Sequence, residues 1–392
     1  MSLPDALVLL RMLKKTLLWE VFRLNQSGNW GEDMIAKAKS VERQSGLDAL
    51  RVLSAVLITA IHYIGYSDVL NNAGGGGNKI WIVAVYSLTR IAVGEYILTM
   101  GYFMSQKKAT LKKVVLLDSR VMFYSIIIAA VCVLLKINTI SIPDGLRTVF
   151  PLLTDAYWFF TAYILLYTIS PLLNEIINRC SREKIKVLLY TTWGIITIGF
   201  KLNPFTTGDN YLSGAHGIVW LSFLYMVGAA LYRFPDLLSK RACWIAAIIS
   251  YAVIFLGYWF GFKLPKTVSF FEDCAVFPSI LTICTFAIFK DVSLKGMAKK
   301  IIGLLAPLSL GVYLVQEQCL LREAYWSFFN ADEMVHSAWM PIQFMCALIL
   351  PWIAAAIIEK VHGLYWTRFG NVLFNKTLNR LYELRNKVCE GK

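Results

Sequence analysis

Arg51-Val52-Leu53-Ser54-Ala55-Val56-Leu57-Ile58-Thr59-Ala60-Ile61-His62-Tyr63-Ile64 sets the fold class. The run is apolar or small throughout, with one arginine at its start and one histidine near its end. Similar runs recur at Val121–Leu135, Trp158–Leu173 and Ile342–Ile358. None alternates with period two, which a membrane β-barrel strand requires. With their flanks, these runs match the roughly 20 apolar residues of a helix that crosses a bilayer. Across all 392 residues, 57% are hydrophobic and 16% charged, with a mean hydropathy of +0.57. Soluble proteins hold about 45–50% and about 25% respectively. A soluble globular fold, a disordered chain and a basic nucleic-acid-binding domain are therefore excluded. The sequence reads as an all-α polytopic membrane protein.

Spans are expected at about 47–68, 80–104, 120–137, 156–177, 186–202, 217–233, 243–262, 272–289, 301–321 and 339–359, about ten in all. Lys and Arg fall on alternate connections. One side holds Lys107, Lys108, Lys112 and Lys113, then Arg179 to Lys186, Arg233 to Arg241, Lys290 to Lys300, and the tail. The other side holds only Lys79, Lys136, Arg147, Lys201, Lys263, Lys266 and Arg322. The positive-inside rule then places both termini in the cytoplasm. It also accounts for most of the +14 net charge. Eight cysteines stand singly, with no CxxC pair, so neither a disulfide framework nor a metal site is expected. The chain divides into a basic, amphipathic segment at 1–44, a membrane domain at 45–360 and a basic tail at 361–392. Leu3–Leu24 reads as a helix lying on the inner leaflet.

Ionisable residues inside spans are costly and mark functional sites. They are Arg51 and His62 in the first span, Arg90 and Glu95 in the second, and Glu317 in the ninth. Arg51 and His62 are eleven residues apart, which is about three helical turns plus roughly 20°, with a rise of about 16.5 Å. They share one helix face, with a fixed cation at the inner entrance and a titratable base deeper in. Each also has a plainer reading: Arg51 as a snorkelling, positive-inside anchor, His62 as a hydrogen bond between helices. Arg90 and Glu95 are five residues apart and do not stack on one face.

Four blocks, in order, resemble the membrane acyltransferase-3 family. Ser45-Gly46-Leu47-Asp48-Ala49-Leu50-Arg51 and the run to His62 are similar to its opening R-x10-H signature. Arg90 to Phe103 stands where members carry an Arg, aromatics and a Ser-Gly-Phe-like ending. Tyr157-Trp158-Phe159-Phe160, with Tyr163, Tyr167 and Pro171, resembles its Trp-Phe…Tyr…Pro span. Ser309-Leu310-Gly311-Val312-Tyr313-Leu314-Val315 resembles its Gly-Ile-Tyr-Leu-Ile-His block. The likeness covers roughly 45–360. The chain departs from the pattern at Gln316, where the family often has His, at Glu95, where an aromatic is common, and at Thr99-Met100-Gly101.

The resemblance implies an O-acyltransferase of the cell envelope, in a bacterial cytoplasmic membrane. It would move acetyl from cytoplasmic acetyl-CoA to a hydroxyl of an extracytoplasmic polysaccharide or lipid-linked sugar. Arg51 and the inner basic loops suit a polyanionic donor. His62 is the residue to take a proton from a sugar hydroxyl, or to carry the acyl group covalently. Arg90 is a candidate for oxyanion stabilisation or for packing. His62, Arg90 and Glu95 make up the catalytic set on this reading, with Arg51 binding the donor and no metal or nucleic acid involved. Trp158, Tyr313 and Gln316 are acceptor-side candidates. The rival reading, a transporter or flippase of a glycan, calls for paired broken helices or a midplane carboxylate network.

Overall fold

The computed structural model describes residues 44–67, 69–74, 76–199, 217–261, 271–365 and 380. The amphipathic helix expected at Leu3–Leu24 and nearly all of the basic tail lie outside the described residues. The chain divides after Gln44, and the unit that begins at Ser45 carries the bundle.

Its helices are α1 (Ser45–Gly65), α2 (Lys79–Thr89), α3 (Ala92–Met104), α4 (Leu111–Leu134), α5 (Ile142–Val149), α6 (Trp158–Arg179) and α7 (Arg182–Gly194). They continue with α8 (Ile218–Arg233), α9 (Lys240–Trp259), α10 (Val276–Phe289), α11 (Gly296–Leu305), α12 (Ser309–Glu317), α13 (Arg322–Phe329) and α14 (Met340–Tyr365). No strand occurs among the described residues. Seven stretches are long and apolar enough to cross a bilayer: α1, α2 with α3, α4, α6, α9, α11 with α12, and α14. Two more, α8 and α10, are apolar but shorter. The span expected at 186–202 begins instead as α7, whose first turns carry Arg182, Glu183, Lys184 and Lys186, and runs into a π-helical turn at Ile195–Gly199. Residues 200–202 of that expected span lie outside the described residues.

Two of the seven are interrupted. Between α2 and α3 the chain turns at Arg90-Ile91, where the Ile91 N–H reaches the Leu88 carbonyl at 3.3 Å before helical bonding resumes from Glu95 N to Ile91 O at 3.0 Å. Between α11 and α12 lies a single 3-10 turn, Ala306–Leu308, that contains Pro307. Both breaks keep their backbone bonded locally, as a lipid environment demands. Neither is the unwound stretch of a broken transporter helix.

α1 sits at the centre and packs against α2, α3, α10, α11, α12 and α14. That position explains why 14 of its residues are buried. The tightest crossing joins α3 to α8. A Cβ added to Gly101 would lie 2.1 Å from the Tyr225 carbonyl oxygen, and one on Gly228 would lie 2.1 Å from that of Leu98. Backbone meets backbone from both sides, which only glycine allows. Polar clamps hold other helices. Asn174 donates to the Met104 carbonyl at 2.9 Å and accepts from the Tyr225 hydroxyl at 2.8 Å. Outside the bundle, Arg182 donates to Asp236 at 2.9 Å, and this bond holds the Asp236 carboxyl below the usual range.

Candidate active site

His62 projects from the last turns of α1, on the same face as Thr59 and Tyr66, three residues before and four after. Facing it is the end of α12. His62 Nδ1 lies 3.2 Å from Gln316 Oε1 and 3.4 Å from Glu317 Oε1. The Tyr66 hydroxyl donates to the same Glu317 oxygen at 3.2 Å. Gln316 is fully buried and Glu317 nearly so, while the His62 side chain keeps 20% of its surface exposed.

This network settles the imidazole tautomer by elimination. The Thr59 hydroxyl donates to the Ala55 carbonyl at 3.0 Å, so its oxygen accepts from Gln316 Nε2 at 3.2 Å. The Gln316 amide oxygen is thereby turned to His62. Nδ1 now faces two oxygens that can only accept, and it carries the proton. The lone pair resides on Nε2. An imidazole held in one tautomer, with a carboxylate behind it, is equipped as a general base, because the carboxylate stabilises the imidazolium that forms.

The corner after α12 extends the site. Gln318, fully buried, accepts through Oε1 from the backbone N–H of Leu320 at 2.7 Å and of Leu321 at 3.2 Å. This local cap turns the chain into α13, which starts with Arg322, 3.7 Å from Glu317 Oε2. One turn on, the Trp326 ring meets His62 edge-on at 5.9 Å and stacks on Tyr66 at 5.7 Å. The Tyr325 hydroxyl ties α13 to the Ala347 carbonyl of α14 at 2.8 Å.

Arg51 stands on the same helix as His62, near its other end. It is paired with Asp48 at 3.4 Å, and its side chain is 38% exposed. Its carbonyl accepts from the Tyr96 hydroxyl at 3.0 Å. Beside it lies Tyr163 of α6, within electrostatic reach. Tyr163 also lines a cavity of about 440 Å³ with Lys113, Arg120, Tyr167 and His362. Arg120 there donates to Glu359 at 2.7 Å and to the Pro307 carbonyl at 3.3 Å. Ring contacts run from this cavity inward: Tyr163 to Phe159 at 6.4 Å, and Phe159 to Tyr313 at 5.9 Å. Tyr313 is one helical turn before Glu317. It accepts from the Phe159 backbone N–H at 3.4 Å and is buried between the two ends of the site rather than at its outer mouth. Trp158 opens α6, its ring edge-on to that of Phe159.

Arg90 and Glu95 are placed differently. Arg90 occupies the turn between α2 and α3, pairs with Asp273 at 3.5 Å and lies 4.7 Å over the Tyr86 ring. Glu95 is 1% exposed, and neither carboxyl oxygen has a hydrogen-bond partner among the described residues. Among the described residues, no group of three or more His, Cys, Asp or Glu is placed to hold a metal ion. The sequence reading singled out Glu317 as a buried ionisable residue but gave it no role. It passed over Thr59, Tyr66, Arg322 and Trp326. Thr59 and Tyr66 were detectable as face-mates of His62, whereas nothing local marks Arg322 or Trp326.

A family model described as an acyltransferase domain, acyltransferase-3, matches residues 44–358. The chain belongs to the acyltransferase-3 family. No curated protein and no solved structure matches the chain. The matched region opens one residue before α1 and closes within α14, so it takes in Arg51, His62, Gln316, Glu317 and Trp326 together. With its apolar helices, this member of the acyltransferase-3 family is a multi-pass membrane acyltransferase.

Proposed function

We propose that the protein transfers an acetyl group from acetyl-CoA to a hydroxyl of an extracytoplasmic polysaccharide or lipid-linked sugar, in a bacterial cytoplasmic membrane. The observation that carries this reading is the His62 imidazole, fixed through Nδ1 by Gln316 and Glu317 with Nε2 left to act. The acceptor hydroxyl gives its proton to Nε2 as its oxygen attacks the thioester carbonyl. The carbon–sulfur bond then breaks, and the leaving CoA thiolate takes the proton from the imidazolium, which restores the base. Glu317 stabilises the imidazolium, and Tyr66 and Arg322 hold Glu317.

The donor end is assigned to Arg51 and the cavity of Lys113, Arg120, Tyr163 and Tyr167. CoA is a polyanion with a long, narrow arm, and guanidinium and ammonium groups over aromatic walls suit it. The arm then follows α1 over the roughly 16.5 Å from Arg51 to His62. The Lys/Arg asymmetry supports a cytoplasmic position for this end, in a topology of about ten crossings with both termini inside. Arg90, tied to Asp273, and Glu95, without a hydrogen-bond partner among the described residues, are assigned to the architecture of the bundle.

The test uses membranes that contain this protein as the sole transferase, radiolabelled acetyl-CoA and envelope glycan from its host. Base-labile label should appear in the glycan with the parent protein and fall to background with His62→Ala. Full labelling by His62→Ala overturns the reading.

A further inference from the structure

α13 holds two buried donors without acceptors. Arg322 Nε and Trp326 Nε1 each carry a hydrogen, are shielded from solvent and meet no acceptor among the described residues. They are four residues apart and so share one face of the helix. Both residues border the His62 site, Arg322 through Glu317 and Trp326 through His62 and Tyr66. A buried N–H left unpaired is destabilising, and native structures rarely keep one without a reason. Both lie beside His62, and the partly exposed guanidinium of Arg322 is the side from which a ligand oxygen can approach.

The Arg322 guanidinium lies against both Glu317 and the Tyr66 hydroxyl, and part of it faces outward. Its contact with Glu317 Oε2 is long, at 3.7 Å, and Glu317 is shared with His62 and Tyr66. The other acidic residue of the first turn of α13, Glu323, is exposed. Arg322 also opens the helix, where a cation opposes the helix dipole, so helix stability does not account for it. Its side chain is 40% exposed, at the end of the bundle away from Arg51. Beside it Tyr66, 48% exposed, lies flat on Trp326.

We infer that the acceptor bears an acidic group, a carboxylate or a phosphate, next to the hydroxyl that is acylated. Arg322 and Trp326 donate to the oxygens of that group, and the open face of Tyr66 receives the sugar ring. This rests on the transferase reading above and names the class of its acceptor.

Calorimetric titration of the full chain in zwitterionic nanodiscs tests it with three probes of equal length: an oligogalacturonate, a neutral galactan and a glycerol-phosphate oligomer. One acidic probe should bind about tenfold or more tighter than the galactan, as a charge-assisted contact predicts. Added salt should erode that margin. Which acidic probe binds tells carboxylate from phosphate. Arg322→Gln should abolish the preference, Arg322→Lys should keep part of it, and Trp326→Phe, which keeps a ring and loses the N–H, should weaken acid binding several-fold. Equal binding of acidic and neutral probes, a preference that survives in Arg322→Gln, or no binding of either acid overturns the inference. CoA binding and His62-dependent acetyl transfer are measured on the same preparation. If they persist while acid preference is missing, the transferase reading stands and only the acidic acceptor falls.

Discussion

Thr59 orients Gln316. With its own hydrogen given to the Ala55 carbonyl at 3.0 Å, the Thr59 hydroxyl can only accept from the Gln316 amide, at 3.2 Å, and this turns the amide oxygen to His62. A threonine one turn from the histidine thus fixes which imidazole nitrogen holds the proton.

Glu317→Gln keeps an oxygen near His62 Nδ1 and removes the charge behind it. Turnover should fall about 10–100-fold, the worth of a hydrogen bond to a charged group, with donor affinity unchanged. Thr59→Val should cost less, about tenfold or under, and also in turnover. Steady-state kinetics of acetyl transfer separates these effects. A Glu317→Gln enzyme with parental turnover removes Glu317 from the mechanism.

Arg51→Ala and Lys113→Ala should each weaken CoA binding by about 1.5–3 kcal/mol and leave residual transfer dependent on His62. His62→Ala should show the reverse pattern, losing about 10²–10⁴ in turnover while binding CoA as the parent does. Fluorescent-CoA titration in detergent reads the first half. Parental affinity in both cation variants would move the donor entrance away from this cavity.

Gly101→Ala and Gly228→Ala should each destabilise the protein by about 1–3 kcal/mol, the cost of forcing a methyl group into a filled contact. Here each methyl meets backbone, which cannot rotate aside. Gly194→Ala, where an added Cβ meets nothing within 4 Å, is the control. Thermal unfolding in detergent should rank the first two below the parent and leave the third level with it.

Glu95→Gln has the shape of the parent residue without an ionisable group. Because no cation or donor meets the Glu95 carboxyl among the described residues, the substitution should leave both acetyl transfer and thermal stability at parental values. A loss of transfer of tenfold or more, about 1.4 kcal/mol, would return Glu95 to the reaction.

The spans were legible because each is written locally, in apolar runs bounded by lysine and arginine. The seven long apolar stretches fall within several residues of their expected edges, except that α4 begins at Leu111 rather than near 120. The break at Arg90-Ile91 was not legible, since neither glycine nor proline marks it. The turn before α12 contains Pro307, although the span at 301–321 was expected to be continuous. Arg51 and His62 could be placed on one helix because that relation needs only a period of 3.6. The pairing of His62 with Gln316 and Glu317 spans some 250 residues, and no local pattern contains it. Gln316 drew notice as a departure from the family's usual histidine, and the structure brings its amide to His62. Arg90 pairs with Asp273, which precedes α10 far along the chain, and no local pattern contains that pairing.

The buried amide of Gln318 joins α12 to α13 by two bonds to backbone N–H groups. Glu317 stands immediately before that joint and Arg322 shortly after it, so one hydrogen-bonded corner positions both. Anything that draws Arg322 outward or presses it in also shifts the carboxylate behind His62. The geometry of the base is therefore set partly from the surface, by whatever occupies the entrance, and an empty entrance and a filled one need not hold the imidazole at the same angle.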